Sequence, residues 1–163
     1  MLPSARSAFL AAPLLLLALA TTPATAELGS YGVRGGISLT PDQFFIGAHM
    51  RAYEFTPEVA VRPNVEVGFG DDLTLIGFGA AVDYAFKQAN WNGYTPYAGG
   101  ELGIMRWSWD NNGLGDGSDS GLALSGLGGV RKAIASGRDL CFELKVGLSD
   151  HAPDFKIFAG IDF

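Results

Sequence analysis

The last ten residues of the chain, Asp154–Phe163 (DFKIFAGIDF), alternate strictly between apolar and other side chains. One side of this alternation carries five apolar residues: Phe155, Ile157, Ala159, Ile161 and Phe163. A period of two is the period of a β-strand whose two faces meet different surroundings. Chain termini are usually frayed and polar, so an apolar alternation up to the final residue predicts that this strand is held in a sheet.

The same alternation recurs along the chain, and connections rich in Pro, Gly, Asp and Asn separate the stretches that carry it. Short connections make consecutive strands antiparallel neighbours, and eight strands in up-and-down order close into a small barrel without exposed edges. The eight predicted strands are Gly29–Thr40, Phe44–Glu54, Glu58–Phe69, Asp72–Phe86, Gly93–Trp109, Gly121–Ile134, Asp139–Leu148 and Asp154–Phe163.

Most of the predicted strands have one face of bulky apolar residues and one face of small, polar or charged residues. In the third, Val65 and Val67 oppose Asn64, Glu66 and Gly68. A soluble exported ligand-binding barrel would turn its apolar face inward, but side chains only just fill the interior of eight strands. Such a lumen cannot take a bulky apolar group at every second position. The reverse arrangement predicts an all-β fold, an eight-stranded antiparallel up-and-down transmembrane β-barrel.

Strand length and aromatic placement agree with a membrane span. A tilted spanning strand needs roughly 9–11 residues, and small barrels carry a girdle of aromatic residues at each membrane interface. One predicted girdle contains Phe44, Phe69, Trp107, Trp109 and Phe155. The other contains Tyr31, Phe55, Phe86, Trp91, Tyr94 and Phe163.

The first residues predict export. Arg6 precedes an apolar run, Phe9–Ala20, and a small-residue site, Ala24–Ala26, follows it. The run is shorter than the about 20 residues of a spanning helix, so it indicates a secretory signal peptide, residues 1–26, cleaved after Ala26. The remaining residues, 27–163, suit one domain, the barrel.

Charge and cysteine content exclude two classes of protein. The whole chain has a formal net charge of −6, and loss of Arg6 with the signal peptide makes it −7. An acidic chain has no electrostatic footprint for nucleic acid. Cys141 is the single cysteine, so the domain has no intramolecular disulfide.

Four segments, GVRGGISL, RPNVEVGFGDDLTL, PYAGGELGI and FKIFAGIDF, resemble bacterial outer-membrane β-barrel domain proteins, the small porin-like barrels of the OmpA/OmpX type. The resemblance covers essentially all of residues 27–163. It implies a location in the bacterial outer membrane, contact with outer-membrane lipid, and recognition of the aromatic C-terminal strand with Phe163 by barrel-assembly machinery. A monomer is expected. Many members of the family have no assigned biochemical activity.

The predicted register turns twelve charged or titratable side chains into the lumen: Arg34, His49, Arg51, Arg62, Glu66, Asp83, Glu101, Arg131, Glu143, Lys145, Lys156 and Asp162. Buried charges are stable only when they are paired and hydrogen-bonded. We therefore predict an ion-pair network that plugs the lumen, and a structural or surface-interaction role without catalysis. The alternative is a narrow ion or small-solute path through the same network.

Ser149, Asp150 and His151 have the composition of a hydrolytic triad, which makes a lipid-modifying barrel enzyme a second alternative. Triads are defined by geometry rather than by adjacency in sequence, and these residue types are also common in turns. His49 and His151 lack the spacing of metal ligands. The prediction is therefore no catalytic residue, no cofactor and no metal site.

Three further features concern loops and register. The longest connection, Asp110–Gly121, carries the acids Asp110, Asp116 and Asp119, but Gly121 stands where a calcium loop needs a bidentate glutamate. We predict a solvated loop there. Pro63 removes a backbone donor inside the third strand and predicts a bulge or irregularity. The apolar residues of the sixth strand do not all fall on one face, which leaves its register ambiguous. Arg131 is assigned to its inner face.

Overall fold

The computed structural model describes residues 29–109, 117–134 and 137–163. The predicted signal peptide with its cleavage site at Ala26 lies outside the described residues. The described chain forms one antiparallel sheet that closes on itself. Its strands are β1 (Tyr31–Leu39), β2 (Asp42–Met50), β3 (Tyr53–Thr56), β4 (Val59–Gly70), β5 (Leu73–Ala85), β6 (Tyr94–Trp109), β7 (Gly117–Ile134), β8 (Arg138–Gly147) and β9 (Phe155–Asp162).

The barrel has eight strand positions because β2 and β3 share one of them. β2 pairs with β4 up to His49, which lies opposite Asn64, and β3 resumes the pairing at Tyr53, opposite Val61. The barrel closes where β1 pairs with β9 along Gly32–Ser38. The predicted eight-stranded antiparallel up-and-down barrel is confirmed, and closure leaves no unpaired edge along the last strand.

The interruption between β2 and β3 is a β-bulge opposite Pro63. Three residues, 50–52, stand there against two on β4, Arg62 and Pro63. Pro63 stays in register with Ala80 on its other side, toward β5. Because proline has no N–H, it cannot donate to the β2–β3 side of the ladder. The predicted irregularity is confirmed, but it lies in the strand beside Pro63 rather than in β4 itself.

Two predicted boundaries are wrong. β7 begins at Gly117, so residues 117–121 of the predicted loop Asp110–Gly121 are strand. Their Gly, Ser and Asp content is typical of a loop, but pairing with β6 continues to Trp109 opposite Gly117 and holds them extended. The second predicted strand, Phe44–Glu54, is divided by the bulge described above.

The two ends of the barrel differ in what they carry. The loop end has the connections β1–β2, β4–β5, β6–β7 and β8–β9. The terminal end has Gly29, Phe163 and the remaining connections, including a 3-10 turn at Lys87–Ala89. Among the described residues, no helix is long and apolar enough to cross a membrane.

The apolar faces of the strands point outward, as predicted. Glu66 is 1% exposed whereas its neighbour Val65 is 36% exposed, and Phe78 on the next strand is 60% exposed. Other large apolar side chains exposed around the barrel are Val33, Ile46, Ile104, Leu122, Leu144 and Ile157. This is the inside-out pattern of a transmembrane barrel, with apolar residues outside and polar residues inside.

Most of the aromatic side chains assigned to the two girdles are exposed at the ends of the barrel. Phe44 and Phe69 are exposed at the loop end, and Tyr31 stacks on Phe163 at the terminal end with ring centroids 5.6 Å apart. Trp107 instead packs against buried residues of the lumen. Trp107 lies at one of the alternate positions of β6 whose side chains point into the lumen. The girdle assignment of Trp107 is therefore wrong.

We expect Val65→Arg to destabilise the barrel in lipid by about 2–4 kcal/mol, because Val65 lies in the middle of an outward apolar face. Leu39→Arg, at the outer rim of β1, should cost only about 0–1 kcal/mol. Refolding titrations into lipid vesicles measure both values. Equal tolerance of the two substitutions would contradict a lipid-facing outer surface.

Candidate functional site: the charged lumen

Glu143 on β8 is the centre of the lumen network. Its carboxylate accepts hydrogen bonds from Arg62 Nη2 at 2.7 Å, from the Tyr97 hydroxyl at 2.9 Å and from Arg34 Nη1 at 3.3 Å. Arg62 also contacts Asp83 through Nε and Oδ2, 2.5 Å apart. These contacts cross the lumen, so they join side chains from β1, β4, β5, β6 and β8 into one buried cluster.

Two lysines complete the central network. Lys145 Nζ lies 2.6 Å from Glu101 Oε2, and Lys156 Nζ donates to Glu66 Oε1. Arg34 contacts the second oxygen of Glu66, with 3.4 Å between Nη2 and Oε2. All five side chains are buried. Each carboxylate here therefore contacts at least one cation, as buried charges require.

A separate group lies nearer the terminal end. His49 Nε2 is 2.7 Å from Asp162 Oδ1, and Arg131 Nε is 3.5 Å from Oδ2 of the same carboxylate. The Arg131 guanidinium also lies 4.8 Å from the centre of the Tyr97 ring. Arg131 is on the inner face of β7, where the sequence assigned it.

The structure buries eleven of the twelve predicted lumen residues and leaves Arg51 outside the network. The buried set contains five arginines and lysines, five carboxylates and His49. Arg51 is half-buried at the β2–β3 bulge, and its Nη1 lies 3.1 Å from Glu54 Oε1. Arg51 lines a cavity at the terminal end together with Asp83 and Arg131, so it lies at the mouth of the lumen. Its ion-pair partner there is Glu54 rather than a member of the network.

Aromatic rings line the lumen beside the charges, which the sequence analysis did not predict. Arg34 lies 4.7 Å from the centre of the Phe158 ring, and Lys156 lies 4.9 Å from that of Phe45. The two rings meet edge to face, 4.4 Å apart. Such cation–π contacts stabilise cations away from water. The sequence pattern could have shown this, because Phe158 follows Lys156 by two residues and therefore lies on the same inner side of β9.

Two neutral polar residues also belong to the network. Asn64 Nδ2 donates to Glu101 Oε2 at 2.8 Å, and the Tyr97 hydroxyl binds Glu143 as described above. Asn64 shares the inward parity of Arg62, so its place on the inner face follows from the alternation. Its partner depends on the barrel register and could not be derived from one strand.

The β8–β9 connection closes the loop end of the lumen. Within it Ala152 and Pro153 are buried, and Trp107 Nε1 donates to the His151 carbonyl oxygen at 3.2 Å. Trp107 packs against an apolar cluster in the mouth of the barrel. The cluster consists of Leu75, Met105, Ala123 and Ala152. This apolar cluster therefore closes the lumen at the loop end, above the ion pairs.

The Ser149 hydroxyl is engaged with backbone groups. It accepts a hydrogen bond from the Leu124 N–H at 2.9 Å and donates to the Leu122 carbonyl at 3.2 Å. These bonds extend the pairing with β7 beyond the end of β8. The structure therefore uses Ser149 to attach the β8–β9 connection to the barrel.

His151 faces Asp119 rather than Ser149, with Nε2 3.2 Å from Oδ2. The structure thus does not bring Ser149 and His151 together as nucleophile and base. Of the loop acids considered as cation ligands, Asp110 and Asp116 lie outside the described residues. Within the described ranges, no group of three or more His, Cys, Asp or Glu side chains is arranged to hold a metal ion.

This architecture is similar to that of solved β-barrel structures, among them the two that follow. The crystal structure of Neisserial surface protein A (NspA) aligns with a TM-score of 0.55 and 18% sequence identity, over 82% of this chain and 93% of that one. The N-terminal β-barrel domain of Pseudomonas aeruginosa OprF aligns with a TM-score of 0.52 and 14% identity, over 83% of this chain and 97% of that one.

Other comparisons add no functional assignment. The outer membrane enzyme PagL aligns with a TM-score of 0.47 and 12% identity, which is too low to support an argument. No protein-family model and no curated protein sequence matches the chain. Together with the outward apolar face and the charged lumen, the two stronger alignments define the fold as that of a small outer-membrane-type β-barrel. The sequence resemblance is confirmed at the level of the fold.

We expect Glu143→Gln to destabilise the folded barrel by about 3–5 kcal/mol, because it leaves Arg62 and Arg34 with a weakened partner in the lumen. The matched control is Glu54→Gln, which removes the exposed partner of Arg51 and should cost about 0–1 kcal/mol. Urea unfolding in lipid vesicles measures both. Similar costs for the two variants would contradict a coupled buried network.

Closure of the loop end by the β8–β9 connection can be tested at Gly147. A Cβ atom there would lie 2.5 Å from the Pro153 carbonyl oxygen, so Gly147→Ala should displace the β8–β9 connection and cost about 1–3 kcal/mol. Gly126→Ala is the control, because its Cβ would meet nothing closer than 3.9 Å. Limited proteolysis should cut the β8–β9 connection faster in Gly147→Ala only. Unchanged cleavage would show that the connection is not seated tightly.

Proposed function

We propose that this chain is an exported integral protein of the bacterial outer membrane, with a lumen closed by its own side chains and a structural or surface-interaction role. The observation that carries the proposal is the opposition of the two faces of the barrel. The outer face is apolar on every side, and the inner face holds the buried ion pairs. An outer surface of this kind is stable in lipid and unstable in water.

The contents of the lumen support a closed barrel rather than a pore. The ion pairs cross the lumen, and the apolar cluster around Trp107 closes the loop end above them. Eight strands leave room for little besides side chains. Solute passage would require several buried pairs to separate at once, which is costly because each leaves uncompensated charge.

The partners of Ser149 and His151 argue against catalysis by these two residues. Nucleophilic catalysis needs the nucleophile within hydrogen-bond reach of its base, and here the two side chains have different partners. A lipid-modifying activity stays the alternative function. Lipid A and phospholipid turnover assays on the purified protein test it, and turnover abolished by Ser149→Ala would replace the proposal.

Location is tested by membrane fractionation combined with gel mobility. A folded barrel should sediment with outer membranes and should migrate differently before and after boiling. Recovery in the soluble exported fraction without detergent would contradict the proposal.

The proposal includes an orientation, with both termini in the periplasm and the loop end outside. Small bacterial barrels have short periplasmic turns and longer external loops. We expect a membrane-impermeant maleimide to label Asp71→Cys on intact cells and to leave Lys87→Cys unlabelled, since these exposed residues lie at opposite ends. The native Cys141 is buried, so it should stay unlabelled in both variants. The reverse labelling pattern would invert the orientation.

We also expect planar-bilayer recordings of the purified protein to show no stable channels, because the lumen is filled and its charges are paired. Glu66→Gln, which removes a carboxylate shared by Lys156 and Arg34, is the informative comparison. Stable ion-selective channels in the unmodified protein that respond to this substitution would favour the narrow-path alternative.

A further inference from the structure

The outer surface changes from apolar to polar toward the loop end of β6 and β7. Ile104 and Leu122 lie opposite each other, and both are exposed. The next outward pair along these strands is Arg106 and Ser120, both exposed as well. In a barrel that spans a membrane, such a change marks the level at which hydrocarbon gives way to headgroups.

A cavity of about 410 Å³ lies beside Arg106 at this boundary. Its lining includes Asp72, Thr74, Arg106, Ser108, Trp109 and Ser118. Arg106 Nη2 donates to Ser118 Oγ at 3.2 Å, its one side-chain hydrogen bond within the described part of the chain. A guanidinium carries five N–H donors, so most of the donors of Arg106 are available to a ligand, and the hydroxyls beside it add more.

Arg106 is an isolated basic residue among acidic ones at the loop end. Among the described residues outside the lumen, it is the single lysine or arginine at the loop end. The acidic residues there are Asp42, Asp71, Asp72, Asp119, Asp150 and Asp154. No ion pair within the described residues engages Arg106. A cation with free donors next to an apolar surface is suited to an anion that is itself attached to an apolar body.

We propose that Arg106, with the hydroxyls of Ser108 and Ser118, binds the phosphodiester headgroup of a membrane lipid whose acyl chains lie along Ile104 and Leu122. This inference rests on the proposed membrane location. The carboxylate of Asp72 lines the same cavity and repels a doubly charged phosphate, so a singly charged phosphodiester is the better ligand. The acyl chains supply apolar burial that a free phosphate lacks.

Native mass spectrometry of the full folded protein in detergent micelles, titrated with phosphatidylglycerol, tests the proposal. Arg106→Gln should weaken the apparent affinity by about tenfold or more, as loss of hydrogen bonds to a charged group does. The control is Arg138→Gln at the terminal end, an exposed outward arginine whose guanidinium lies 5.2 Å from the centre of the Phe163 ring. Its affinity should match that of the unmodified protein.

A double variant, Ser108→Ala with Ser118→Ala, keeps the charge and should weaken binding by about threefold or more. Deacylated phosphatidylglycerol carries the same headgroup without chains and should not saturate the site. Unchanged affinity in Arg106→Gln, equal binding of diacylglycerol, which lacks the phosphodiester, or saturable binding of the deacylated headgroup would each overturn the proposal. Because the titration uses detergent micelles, a negative result would leave the fractionation test of the membrane location unaffected.

Discussion

Pairing of the first strand with the last is the constraint on which the rest of this structure depends. Once β1 pairs with β9, every strand except the short β3, which pairs with β4 alone, has at least two neighbours, and eight strand positions fix a lumen that side chains fill. Large apolar groups can then be accommodated mainly on the outside. The short side chains and charges that alternate with them must pack inside. The apolar face that runs along β9 to the chain end is therefore part of the outer surface of the closed barrel.

Burial of the inner charges imposes a second condition, because each charge needs an opposite partner within reach. Five cations and five carboxylates meet it in the described lumen, with His49 as an additional member. The same contacts cross the barrel from strand to strand, so they specify the register as well as neutralise the charge. Shifting one strand by a residue would place its charges in lipid and its apolar residues in the lumen. The network thus ties the stability of the barrel to the closure of its lumen.

Alternation along single strands was sufficient to predict which face of each strand points outward and most members of the lumen network, because both depend on a period of two. The number, order and antiparallel direction of the strands also required the short connections between the alternating stretches. Alternation did not predict that Arg51, beside the bulge opposite Pro63, would pair with Glu54 instead of joining the network. The girdle assignment of Trp107 was wrong because it rested on a position near a strand end, whereas alternation alone puts Trp107 on the inner face. Contacts between distant segments could not be predicted from one strand. The seating of Ala152 in the mouth of the barrel is one example, and its place follows from packing against β5, β6 and β7.

Accessibility of spin labels on the outer face tests the central claim most directly. Labels replacing Ile46, Val65, Phe78 and Leu144 would report on four different strands around the barrel, each at an outward position. In protein refolded into lipid vesicles, all four should collide more often with molecular oxygen, which concentrates in hydrocarbon, than with a water-soluble nickel chelate. Preferential collision with the nickel chelate around the barrel would contradict a lipid-facing outer surface and would indicate a barrel exposed to water.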